Sequence, residues 1–230
     1  MFLLAPEPRQ WAARVQLWGL VSGVPSVVLG LVGVPGLLVP GALAVAAAAG
    51  GHIAWMLEMA RGRKRPGLDW GLRCALTATA FVVPAAVLGV ALAADRVSGP
   101  RVALAYAVIV LGGWISLTIV GMMLKIVPFL VWYHVYSPRA GRGPVPTLTQ
   151  LSSPRVEGLA YTLLTGGVIL LAVTVLVGDA AWIRAAGVVL ALGALAFAVA
   201  LARAVRHLLN ARAHKRLPES TSSRTLEHVR

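Results

Sequence analysis

The 230-residue chain has one cysteine, Cys74, and eight acidic residues, and only 13% of its residues are charged. A lone thiol excludes an intramolecular disulfide and any multi-cysteine metal site. Cys74 follows a basic stretch, and we expect it to pack between helices as a small apolar residue. An ordinary soluble domain is about 25% charged, so this composition excludes a typical water-soluble globule. There is no Gly-rich phosphate loop, no Ser/His/Asp set and no pair of carboxylates inside an apolar segment. Nucleotide chemistry, triad hydrolysis and acid-coupled transport therefore lack their usual carriers, and no catalytic set is assigned. A repeated filter motif and rings of charge, which a channel would need, are also missing.

What is present is apolar: 58% of the residues, with a mean hydropathy of +0.80. A bilayer-crossing helix takes about 20 mostly apolar residues. Six runs are that long, at 11–34, 36–60, 72–94, 102–136, 158–177 and 182–209. They lack the alternation of barrel strands, and only helices or closed barrels satisfy the backbone in lipid. The expected fold is all-α: a polytopic membrane protein with a bundle of six transmembrane helices. Residues 1–210 form the membrane domain, and 211–230 form a basic, exposed tail expected to be disordered. The first run is too long and lacks a cleavage site, so it reads as a span rather than a signal peptide.

The net charge of +13 comes from residues between the runs. Seventeen Lys and Arg fall at one set of ends, including Arg9, Arg61, Arg65, Arg142 and Arg206, against Arg96, Arg101 and Arg184 at the other. The excess marks the cytoplasmic side. Both termini are expected there, in a bacterial inner membrane whose anionic headgroups the basic loops contact. The turn-rich loop 61–70 suits headgroups or the acidic surface of a partner. Basic residues spread in this way do not form a nucleic-acid surface.

His52 is the deepest ionisable residue, about 12 Å inside the second run at 1.5 Å per residue. A buried imidazole either ligates haem iron or copper, relays a proton, or packs with a hydrogen bond to a neighbour. Trp55, Met56 and Met59 follow on the same helix face. Met122 and Met123 lie at the corresponding end of the fourth run. If those helices touch, His52, Met56, Met59, Met122 and Met123 form a soft patch for Cu(I) or an axial haem ligand. Methionine is also ordinary packing material. Lys125 either reaches the headgroups or faces a cavity for an anionic group such as a haem propionate or a quinone oxygen. Pro128 is expected to bend the fourth helix, with Phe129, Trp132, Tyr133 and Tyr136 continuing along the interface. Glu58 is expected to pair with Arg61, and His207 and His214 to be solvated. Gly112, Gly113, Gly121, Gly166, Gly167, Gly187 and Gly193 are candidates for close helix crossings.

The run Gly113-Trp114, Gly121-Met122, Lys125-Ile126-Val127-Pro128-Phe129-Leu130-Val131-Trp132, followed by Pro144-Val145-Pro146-Thr147-Leu148, resembles a stretch of bacterial inner-membrane proteins related to the catalytic subunit of haem-copper oxidases. The preceding segment, Val102 to Ala107, has no histidine where such proteins place haem ligands. The resemblance implies a reduced relative, an accessory or assembly subunit in respiratory haem-copper chemistry. Haem b or Cu(I) would then be held by His52 and Met56, with Lys125 nearby and other membrane subunits of a respiratory complex as partners. A small transporter lined by His52, Ser116, Thr118 and Lys125, or a purely structural subunit, is the alternative.

Overall fold

The computed structural model describes residues 9–62, 67–139, 145–147 and 150–216. The described residues are helical, with no strand among them: α1 Gln10–Leu31, α2 Leu38–Arg61, α3 Trp70–Ala93, α4 Pro100–Ala107, a π-helical stretch Val108–Ser116, α5 Leu117–Val135, α6 Pro154–Val177 and α7 Ala180–Arg216. α4, the π stretch and α5 are continuous, so six helices are long and apolar enough to cross a membrane. The chain therefore has the architecture of a multi-pass membrane protein.

Short turns with specific residues set the hairpins. α6 ends on Gly178 in the left-handed region, at φ +83. Asp179 then accepts from the backbone N–H of Ala181 at 2.8 Å and of Trp182 at 3.2 Å, starting α7. Gly supplies the positive φ without a Cβ penalty and Asp satisfies orphan amides, so the pair reverses the chain in two residues. Asp69 caps α3 in the same way, accepting from Leu72 N–H at 2.8 Å.

Helices in lipid associate by packing and polar contacts rather than by escape from water. α1 packs on α2, and small residues bring the two backbones together. A Cβ at Gly19 would lie 2.7 Å from the Ala44 carbonyl oxygen, and one at Gly51 would lie 2.8 Å from that of Ala12. α6 packs on α7, while α3 packs on α2, on α5 and on the π stretch. Of the glycines expected at crossings, Gly112, Gly113, Gly121, Gly167 and Gly193 meet a neighbouring helix, but Gly166 and Gly187 face open space. The closest crossing is that of α3 and α5, where a Cβ at Gly121 would lie 2.5 Å from the Gly71 carbonyl oxygen. Beside it Cys74 is fully buried with Leu124 and Ala200.

Several expected boundaries and contacts differ. The fourth span is not among these: α5 continues past Pro128 to Val135, as expected, and Trp132 donates its indole N–H to the Pro146 carbonyl at 2.8 Å. The last helix extends to Arg216, so 211–216 continue it; residues 217–230 of the expected tail lie outside the described residues, as does the loop 63–66. His207 is not simply solvated, because its Nδ1 shares a hydrogen bond with the Tyr136 hydroxyl at 3.1 Å, joining the end of α5 to α7. The side chain of His214 lies outside the described residues. Glu58 accepts from the Arg9 backbone N–H at 3.0 Å, a partner far away in sequence, where Arg61 was expected.

Candidate functional site

Between the α1–α2 hairpin and the α3–α4 pair lies a cavity of about 420 Å³. Its wall runs along α1 from Gln16 to Leu31 and along α2 from Leu38 to His52. Fifteen residues of rise make the slot about 22 Å long. α3 closes it with Val82, Ala85 and Ala86, and the fourth span with Tyr106, Val110 and Trp114. The cavity exists because small residues line two helices. Ala42, Ala46 and Ala49 of α2 and Ala85, Ala86 and Gly89 of α3 leave the space that larger side chains would fill.

Three polar side chains gather at one end, and Tyr106 stands apart from them along the wall. The Gln16 side-chain nitrogen lies 3.5 Å from His52 Nδ1, a long hydrogen bond. The Trp114 ring stands 6.3 Å from the imidazole, tilted by 60°. Gln16 Oε1 is buried and has no hydrogen-bond partner. From this pole to Leu31 the wall is aliphatic apart from Tyr106, and it includes no Asp, Glu, Lys or Arg.

Trp114 arrives there through the π stretch, which apolar periodicity alone does not reveal. Gly112 and Gly113 present bare backbone to Val168 and Phe81: a Cβ at Gly113 would lie 2.6 Å from the Phe81 ring. Ser116 donates to the Leu111 carbonyl, five residues back, at 2.7 Å, consistent with the wider turn. Such stretches inside α-helices recur at functional sites. The Gly-Gly-Trp sequence was the available signal.

His52 is therefore in the cavity wall, but the other expected site residues are not. Lys125 forms an ion pair with Asp69, Nζ to Oδ2 at 2.9 Å, at the α3–α5 crossing. Its side chain is 16% exposed and that of Asp69 57%. In place of an open cation for a propionate or quinone oxygen, one of the two expectations for Lys125, there is a link between the cap of α3 and the middle of α5, because the cap carries a second carboxylate oxygen. Met56 and Met59 follow His52 on α2 but do not line the cavity. Met122 and Met123 lie on α5, whose main neighbours are α3 and α7 rather than α2. The helix contact that would have joined the methionine pairs is occupied by α3. Ser116 and Thr118 return their hydroxyls to Leu111 and Trp114 carbonyls of their own helix, so no polar path joins them to His52.

These positions bear directly on haem b and Cu(I). The cavity offers one imidazole and no second nitrogen or sulfur donor from its wall, since Met56 is absent from the lining. Among the described residues no three His, Cys, Asp or Glu side chains converge. A haem held from two sides or a two-donor copper ion does not fit this set.

Asp69 gives a direct test of the crossing. It serves both as cap and as ion-pair partner, so Asp69→Ala removes two interactions and Asp69→Asn keeps the cap. A cap contributes about 0.5–2 kcal/mol and a half-exposed pair about 0.2–1 kcal/mol. The expected order of melting temperatures in detergent is wild type, then Asn, then Ala. An Asn variant as unstable as the Ala variant would assign the effect to the ion pair alone.

Comparison with protein-family models, curated proteins and solved structures finds no match.

Proposed function

We propose that this chain is a multi-pass protein of a bacterial cytoplasmic membrane that holds a long, uncharged, membrane-soluble molecule between its α1–α2 hairpin and α3–α4. The observation that carries this reading is the shape and chemistry of the cavity: an aliphatic slot about 22 Å long with Gln16, His52 and Trp114 at one pole. Ligand pockets of about 300–1,000 Å³ with a few convergent polar groups are the usual form of small-molecule sites. A wall without carboxylate, thiol or cation supplies orientation and burial, so the proposed role is binding. The resemblance of residues 113–132 is the ground for proposing that role in an accessory or assembly subunit of a respiratory complex. The basic-residue count supports an orientation with both termini in the cytoplasm.

Filling the slot tests this reading. Ala86 faces it from α3, and Ala86→Phe puts a ring where the chain of the ligand would lie. Protein purified in mild detergent is expected to retain a co-extracted long-chain molecule, detected by mass spectrometry of the organic extract. The Ala86→Phe protein should retain at least about tenfold less, the loss that about 1.4 kcal/mol of lost binding produces. Equal retention by both proteins would remove the cavity from the function.

A further inference from the structure

The slot has a packed floor, a closed end and an open side. Ala42 and Ala48 of α2 and Val82 and Ala85 of α3 line it and are buried, so they form the floor. At the polar end Trp114 stands beside His52 and brings the fourth span against α2. The edge along α1 differs from both. Leu20 and Val28 line the slot and yet are 39% and 55% exposed. α1 packs on α2, whereas the fourth span packs on α3, α6 and α7, so among the described residues no extended helix packing joins α1 to the fourth span.

Resting on the reading of the cavity as a binding site, we infer that its occupant enters sideways from the hydrocarbon of the bilayer, through the opening between α1 and the fourth span. The depth of the opening supports this route. Leu20 is eleven residues from Leu31 at the end of α1, and Val110 is ten residues from Pro100 at the start of the fourth span. Each distance is about 15 Å of helix, which puts the rim near the middle of a hydrocarbon core about 30 Å thick. The rim carries no Asp, Glu, Lys or Arg. A molecule already dissolved in the hydrocarbon therefore reaches the slot without meeting water, whereas an ion would lose its hydration before arriving. The occupant belongs to the class of molecules that diffuse among the lipid chains.

Bridging the opening of the full chain tests the route. Leu20→Cys with Val110→Cys puts one thiol on each side at the same depth, and the native Cys74 is fully buried and does not compete. The protein in mild detergent is loaded with tritiated hexadecanol, bridged with a bismaleimide and chased with excess unlabelled hexadecanol. The control is the same double variant capped with a single-headed maleimide. Before the chase, bridged and capped proteins are expected to hold equal label. During it, the bridged protein should release label at least about tenfold more slowly, a rise of about 1.4 kcal/mol in the barrier. Should that variant fail to fold, Val24→Cys with Tyr106→Cys bridges the opening one turn closer to the α1–α2 connection. Equal release from bridged and capped proteins would overturn the sideways route; the cavity reading would stand where Ala86→Phe still loses the label. Expulsion of the label on bridging would overturn the route too, because the thiols would then meet through the slot rather than across its opening. No retention of hexadecanol by the wild type would overturn the cavity reading and this inference with it.

Discussion

Gly121→Ala is expected to lower stability by about 2–3 kcal/mol, and Gly121→Leu to prevent recovery of a monodisperse protein. The added Cβ would lie 2.5 Å from the Gly71 carbonyl oxygen and 2.9 Å from the Cys74 Cβ. The nearest obstacle is backbone, so no rotamer change relieves the overlap and α3 and α5 must separate. A reciprocal Gly71→Ala change meets the Gly121 carbonyl oxygen at 2.7 Å, so the two substitutions should be similarly damaging. Gly187 supplies the control. A Cβ there has nothing within 4 Å, and Gly187→Ala should leave the melting temperature unchanged or raise it slightly, since alanine is the better helix former by about 1 kcal/mol. Gly121→Ala should melt roughly 5–10 °C lower, using a few degrees per kcal/mol. Cys74 gives a second readout at the same crossing. It is fully buried in the native protein, so a membrane-permeant thiol reagent should leave it unmodified there and label it in Gly121→Leu. Equal melting of Gly121→Ala and wild type would mean that the helices do not approach this closely.

The contrast between Gly121 and Gly187 also shows what the sequence could reveal. Six spans and their approximate limits were legible because twenty-residue apolar runs have few other structural solutions. Which glycines sit at crossings was not legible, because small residues allow close approach without specifying which helix approaches. The same holds for the polar residues. His52 was singled out from its depth in the second run, and it does line the cavity. Its neighbour Gln16 lies on another helix, thirty-six residues away, and no local spacing could have paired them. Lys125 with Asp69, Tyr136 with His207, and Glu58 with the Arg9 amide follow the same pattern. In each pair at least one group lies near a helix end, and the pairing is set by tertiary packing. The methionine patch depended on a contact between α2 and α5 that local spacing does not specify. Its two halves occupy corresponding ends of their runs, but α3 packs between α2 and α5.

A reporter active only in the cytoplasm should be fully active when fused after Arg63 and inactive when fused after Ser98, while an export-dependent reporter should show the reverse. The expected contrast is all-or-none because a span either crosses or does not. The charge count behind it, seventeen basic residues against three, is strengthened by how the three are used. Arg101 donates to the Val177 carbonyl at 3.3 Å, at the last turn of α6. There a guanidinium satisfies an orphan carbonyl and opposes the negative end of the helix dipole. Arg184 donates to the Ala180 carbonyl at 3.1 Å, in the first turn of α7. Arg101 thus satisfies a helix end, which gives one of the three far-side cations a structural reason on a face otherwise poor in basic residues. The opposite face has cations well beyond such needs. That surplus is what electrostatic retention on the cytoplasmic side acts upon. Arg101→Ala should therefore loosen the α4–α6 contact without changing the reporter pattern. Activity of the cytoplasmic reporter after Ser98 would reverse the orientation and bring the Gln16–His52 pole nearer the outer face.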